Sequence, residues 1–164
     1  ALPYALGAAH LHSTRSRSKQ PSHAASGSRH AAARAAATRA YAPYSNFHVG
    51  ATLLLDDGQI VTGSNFENAS YGMTLCAETV AIAKANSDGQ LRAIREIAVA
   101  GGLAGHVGAA AEPITPCGRC RQIIKEVADL TDTDIPVHCA HAGGYETFTL
   151  SELLPHGFGP ASLK

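Results

Sequence analysis

No stretch of the sequence approaches the roughly 18 uninterrupted apolar residues of a membrane span, which excludes a membrane-crossing helix. Acidic residues are missing before Asp56, whereas Arg15, Arg17, Lys19, Arg29, Arg34 and Arg39 all fall before residue 41. The formal net charge of +0 therefore hides two unlike halves. With 13 Lys plus Arg and 13 Asp plus Glu in the chain, the six early cations leave seven against 13 in the remainder, a net −6. Neutralisation of phosphates by Lys and Arg supplies most polynucleotide affinity, so a domain this poor in cations argues against a nucleic-acid binder. Cysteine is sparse too. Four residues with no evident secretory signal are too few, and too specifically spaced, for a disulfide scaffold; they point to metal binding or catalysis. Internal repeats are also lacking.

At 164 residues there is room for one compact domain with a continuous core. Residues 1–29 are rich in Ala, Ser, His, Arg and Gly, lack apolar periodicity and contain Pro3 and Pro21. They read as a disordered basic extension whose composition fits a tag, a misplaced start or an organelle-targeting segment. Residues 30–164 form the expected domain. The run HAAARAAATRAY from His30 is a strong helix former with no breaker until Pro43, so a first helix should end near Ala42. Segments 47–55 and 59–66, joined by Asp56, Asp57 and Gly58, read as a β-hairpin. A buried helix should run from Thr74 or Leu75 through Asn86, followed by an apolar strand at 96–102 and a Gly/Ala-rich loop reaching Pro116. The stripe Ile123, Ile124 and Val127 predicts an amphipathic helix over 117–130, and strands at 135–141 and 145–150 complete the chain. This order predicts an α/β fold: a three-layer α-β-α sandwich with a mixed five-stranded sheet, in which the two later crossovers join parallel strands.

The chemistry lies in Cys76, Ala77 and Glu78, and in Pro116, Cys117, Gly118, Arg119 and Cys120, each set at the start of a predicted helix. Residues three apart in a first helical turn can aim their side chains the same way. Cys117 and Cys120, joined by Cys76, can therefore supply three corners of a tetrahedral zinc site and leave one open. Zinc in such a site lowers the pKa of bound water toward about 7. Glu78, two residues past one ligand, can reach that water without occupying a coordination position and so can move protons; Cys-x-Glu followed by Pro-Cys-x-x-Cys resembles the zinc nucleobase deaminases. The CxxC spacing alone also fits a structural zinc site with Cys139 as fourth ligand, or a redox pair; Cys139 equally fits a small buried hydrophobe in an apolar strand. Three thiolates on one Zn²⁺ carry −1, which the helix N-termini offset, and Arg121 is a candidate donor to a ligand sulfur.

Five blocks in order, AYAPYSNFHVGA (40–51), GSNFENASYG (63–72), LCAE (75–78), PCGRCRQ (116–122) and SELLPHGFGP (151–160), closely resemble the small homotetrameric cytidine deaminases over residues 30–160. That resemblance implies one Zn²⁺ per subunit on Cys76, Cys117 and Cys120, with Glu78 as the catalytic proton carrier. It implies hydrolytic deamination of cytidine and deoxycytidine to uridine and deoxyuridine with release of ammonia, a pyrimidine-salvage reaction. Asn65 and Glu67 would hold the ribose hydroxyls, Phe47 would lie beside the pyrimidine, and Ala77 with Glu78 would read the base edge. A phosphate would be repelled by the Glu67 carboxylate, which favours a nucleoside substrate over a nucleotide. Phe158 would complete the site of a neighbouring subunit, with Tyr44 and Tyr71 near the subunit contacts of a homotetramer. A cytoplasmic enzyme without nucleic-acid or membrane partners is expected. The family's frequent Arg after the catalytic Glu is Thr79 here, which keeps open a catalytically weakened zinc module of the same fold. CGRCRQ also resembles blasticidin S deaminases, whereas FENASYG is the nucleoside-binding form.

Overall fold

The computed structural model describes residues 23–163. Helix α1 (His23–Ala37) is followed by strands β1 (Phe47–Leu55) and β2 (Ile60–Ser64), helix α2 (Ala77–Ser87), β3 (Ile94–Leu103), α3 (Gly118–Thr131), β4 (Pro136–His141), β5 (Gly144–Thr149) and the short α4 (Leu150–Leu153). The sheet order is β2-β1-β3-β4-β5, antiparallel throughout except for β3 and β4, which pair in parallel. Strands β2 and β3 are both antiparallel to β1, so each of the two helical crossovers does join strands of one direction. The hairpin turns at Gly58, whose φ of +85° suits glycine, while Leu55 N donates to Gln59 O at 2.9 Å.

The alternation of β1 and β3 sorts the two faces. Ala51, Leu53, Leu55, Ile97 and Val99 share one face with Ala81 and Ile82 of α2 and Ile124 and Val127 of α3. On the other face Ala98, Ala100 and Ala140 meet Ala33 of α1. The expected three layers follow. Close approach on both sides depends on glycine. A Cβ on Gly50 would fall 2.0 Å from Ala33 O of α1, and one on Gly63 would fall 2.5 Å from Ala77 O of α2. The second contact seats the start of α2, and with it Cys76 and Glu78, directly on the hairpin.

Two helices begin or end away from their sequence-based bounds, and each difference has a tertiary cause. Helix α1 starts at His23, seven residues before the expected start at His30; residues 1–22 lie outside the described residues. Arg29 is buried, with Nη1 2.6 Å from Glu96 Oε2 on β3. Its partner lies 67 positions away, which no local pattern announces. At the other end α1 stops at Ala37 because Tyr41 N donates to Asn65 O and Glu67 N to Tyr41 O, drawing Tyr41 into a bridge with Phe66. Leu75 likewise pairs with Phe66 in both directions, which holds the chain extended until α2 begins at Ala77. The last strand ends at Thr149, one residue early, because Thr149 and Glu152 form a reciprocal capping box that starts α4.

The α1 face of the sheet carries a buried polar network. His138 places Nε2 2.9 Å from Glu96 Oε2 and Nδ1 2.8 Å from Thr147 Oγ1. His30 stacks on Tyr145, whose hydroxyl accepts from Arg34 Nε at 2.8 Å. Burial, and then the charges of His138, Arg29 and Arg34, push the His30 pKa down from 6.5 to about 4. Below pH 6.5 the unfolded chain takes up a proton that the folded chain refuses, so this group's stabilisation is complete above 6.5 and is lost as pH falls toward 4. Thermal unfolding from pH 7.5 to 4.5 should show Tm dropping through that window, with His30→Phe, which retains the stack on Tyr145, flattening the drop. Parallel profiles for the two proteins refute this assignment.

Candidate active site

Both cysteine segments sit where a helix begins. Cys76 is the N-cap of α2 and Cys117 the N-cap of α3, and Cys120 lies in the first turn of α3. The strand-like Leu75–Phe66 bridge and the Gly63–Ala77 contact fix the first start. The second is fixed by Arg121, whose Nε donates to Pro116 O at 2.7 Å, Nη1 to Leu153 O at 2.9 Å and Nη2 to Thr115 Oγ1 at 3.0 Å. Arg121 therefore clamps the loop ahead of Cys117 onto the end of α4. The expected donation from Arg121 to a ligand sulfur is not where the structure places it, because its guanidinium is engaged by two carbonyls and the Thr115 hydroxyl.

The three sulfurs converge to within 4.8 Å of one another, and Cys76 Sγ lies 3.8 Å from Cys117 Sγ. Tetrahedral zinc with Zn–S bonds of about 2.3 Å would separate its sulfurs by about 3.8 Å, so the set fits that metal. Cys139 stands apart, fully buried in β4, and burial pushes its thiol up to about 12. A four-cysteine closed site is thus not what these residues build. Within the triad, hydrogen bonds from Cys120 and then Cys117 hold the Cys76 thiol down at about 6, against the opposing effect of burial, while the buried Cys120, donor of the first of these, is pushed up. Exposure decreases from Cys117 through Cys76 to Cys120.

A cavity of about 230 Å³ opens over this cluster. Phe47, Val49, Val99 and Ile114 make apolar walls, while Cys76, Ala77, Glu78 and Cys117 line it from the helix starts and Asn65 from the hairpin. Glu78 is only 4 % exposed; burial, reinforced by the nearby Cys76 charge, raises its pKa. Such a carboxyl holds a proton more readily than one in water. Asn65 is rigidly set: its Oδ1 accepts from Val49 N at 2.8 Å and its Nδ2 donates to Phe47 O at 2.9 Å, continuing the strand ladder through a side chain.

Glu67 and Phe158 are elsewhere. Glu67 lines a neighbouring recess of about 350 Å³ with Tyr44, Tyr71 and Thr74, and Thr74 borders both spaces. Its carboxylate accepts from Tyr44 N at 2.9 Å and from Ser45 Oγ at 2.5 Å, and that Ser45 bond leads in lowering its pKa. Phe158 is 58 % exposed and does not line the cavity of its own chain. Sequence reading missed Ile114 and Thr115, which reach the cavity from an irregular loop without periodicity. It also gave Thr79 no contact; the hydroxyl lies 3.7 Å from Cys120 Sγ, and the three-residue step from Cys76 was the available signal.

Three cysteine sulfurs converging at two helix starts, beside a buried carboxyl and under one cavity, form a site that fits the metal of a zinc-dependent hydrolase. The family model for the cytidine and deoxycytidylate deaminase zinc-binding region matches residues 27–133. A cytidine deaminase of Halalkalibacterium halodurans is 45 % identical over 120 residues, covering 73 % of this chain and 83 % of that protein. One of Mycobacterium tuberculosis is 43 % identical over 126 residues, 76 % of this chain and 82 % of the relative. The crystal structure of cytidine deaminase from Burkholderia pseudomallei superposes with a TM-score of 0.70 at 38 % identity, over 80 % of this chain and 98 % of that one. The chain belongs to the cytidine and deoxycytidylate deaminase family. Among the described residues no helix is long and apolar enough to cross a membrane.

Proposed function

We propose that this protein hydrolyses free cytidine and deoxycytidine to uridine and deoxyuridine, releasing ammonia. The observation that carries this reading is the buried Glu78 carboxyl lining the same cavity as Cys76 and Cys117. Zinc held by Cys76, Cys117 and Cys120, one per subunit, supplies Lewis-acid activation of water. Glu78 accepts a proton from the attacking water and delivers it to N3 of the pyrimidine as the C4–O bond forms. It then moves the second water proton to the exocyclic nitrogen, and the C4–N bond breaks with loss of ammonia. Ala77 borders the base edge, and Phe47 offers its ring to the pyrimidine face. Asn65 keeps a spare lone pair and a spare N–H for the sugar, because each of its polar atoms has one partner already. Glu67 would receive the far side of the ribose past Thr74 and repel a phosphate there.

The homotetramer with shared sites belongs to the same proposal. Tyr44 and Tyr71 are 50 % and 73 % exposed with their rings 5.9 Å apart, and such an aromatic pair suits a subunit contact. Phe158, anchored by donation from Gln122 Nε2 to its carbonyl at 2.8 Å, would reach a partner's cavity. Thiolate ligands suit a reducing compartment such as the cytoplasm.

Incubation of the zinc-loaded protein with cytidine, deoxycytidine, cytosine, dCMP and blasticidin S tests the substrate. Ammonia release from the two nucleosides alone is expected, with light scattering reporting four copies. Preferential turnover of blasticidin S or dCMP, or none of any compound, overturns the reading.

A further inference from the structure

Cys120 is the one sulfur of the triad with no exposure at all, so its charge as a metal ligand cannot be hydrated as those of Cys76 and Cys117 can. A buried thiolate needs a donor from the protein. The nearby guanidiniums do not supply it: Arg121 is held by Pro116 O, Leu153 O and Thr115 Oγ1, and Arg119 Nη1 donates to Thr74 O at 3.3 Å. Thr79 Oγ1 stands 3.7 Å from Cys120 Sγ, crossing from the first turn of α2 to the first turn of α3. Helical threonines ordinarily turn the hydroxyl back to a carbonyl of their own helix. Thr131 does so onto Val127 O, and Thr38, just past α1, onto Ala35 O, whereas Thr79 faces the sulfur.

We propose that Thr79 is a positioning residue of the metal centre, donating its hydroxyl hydrogen to the Cys120 sulfur and thereby drawing charge from the buried thiolate ligand. Between two neutral groups either atom could donate. A thiolate has no hydrogen, so once Cys120 binds metal the hydroxyl is the only donor of the pair. The inference rests on the reading of the three cysteines as the zinc ligands, and it is independent of the substrate. It also bears on the surplus charge of three thiolates on one divalent ion, since a hydrogen bond to sulfur lowers the electron density that the metal receives.

The test compares Thr79→Val, which keeps the shape and removes the hydroxyl, with Thr79→Ser, which keeps the hydroxyl. In the Co²⁺-substituted protein the sulfur-to-metal charge-transfer band should move to longer wavelength in Thr79→Val and return to the wild-type position in Thr79→Ser. Competition with a chelator at pH 7 should show zinc held about tenfold less tightly by Thr79→Val. Thr79→Ala stands in if the valine variant does not fold. An unmoved band in the variant lacking the hydroxyl, or a serine variant that matches valine, overturns the proposal. Wild-type protein inactive on cytidine but showing the band shift would overturn the proposed function and leave Thr79 its role; an active wild type with no shift would do the reverse.

Discussion

Replacing Glu78 by Gln lowers kcat for cytidine by a factor of about 10³ to 10⁴, the upper part of the range for a general acid–base group. The amide has the size and much of the hydrogen-bonding capacity of the carboxyl, so the buried position stays filled and α2 keeps its start. What it cannot do is take up a proton and release it. Since Glu78 lines the cavity without being one of the three converging sulfur ligands, zinc should remain at one ion per chain. Steady-state kinetics together with metal analysis check both halves. Turnover within tenfold of wild type by a zinc-loaded Glu78→Gln protein would remove the carboxyl from the mechanism.

Cys117→Ala has the other large effect. Four-ligand zinc sites in small domains bind with about 10–16 kcal/mol, or about 3 kcal/mol per ligand, so losing one thiolate weakens zinc on the order of a hundredfold and turnover falls to background without added metal. Cys117 is exposed at the helix start, so its truncation leaves no hole in the core and the fold should survive. Cys139→Ala is the counterpart. It removes a buried sulfur outside the triad and should cost stability while zinc content and turnover are retained. Zinc retained by Cys117→Ala and lost by Cys139→Ala would reverse the ligand assignment.

Five of the expected elements coincide with strands, because alternation and β-branched runs act locally in 47–55 and its successors. The helix starts at Cys76 and Cys117 were legible for a similar reason: the ligands are close in sequence to the turn that aims them. The direction of Arg121 was not legible, because a basic residue beside Cys120 has two directions available on a helix. Its choice was made by Leu153 O, 32 positions later, and by the Thr115–Pro116 loop. Asn65 and Glu67 look equivalent in the segment NFE (65–67), yet Asn65 joins the strand ladder and faces the cavity over the sulfur cluster. Glu67 is captured by Tyr44 and Ser45 and faces the next recess.

The sequence by itself determined the donor set, the acidic character of the domain, the alternating strands and the places where two helices begin, since each of these depends on residue chemistry or on neighbours within a few positions. Only the tertiary structure decided that α1 reaches back to His23, that Cys139 is excluded from the sulfur cluster, that Arg121 turns away from it and that Thr79 turns toward it. Those outcomes are settled by partners tens of residues distant. A side chain's hydrogen bond goes to whichever group the packed sheet brings within about 3–4 Å, and that distance is not written in any local pattern.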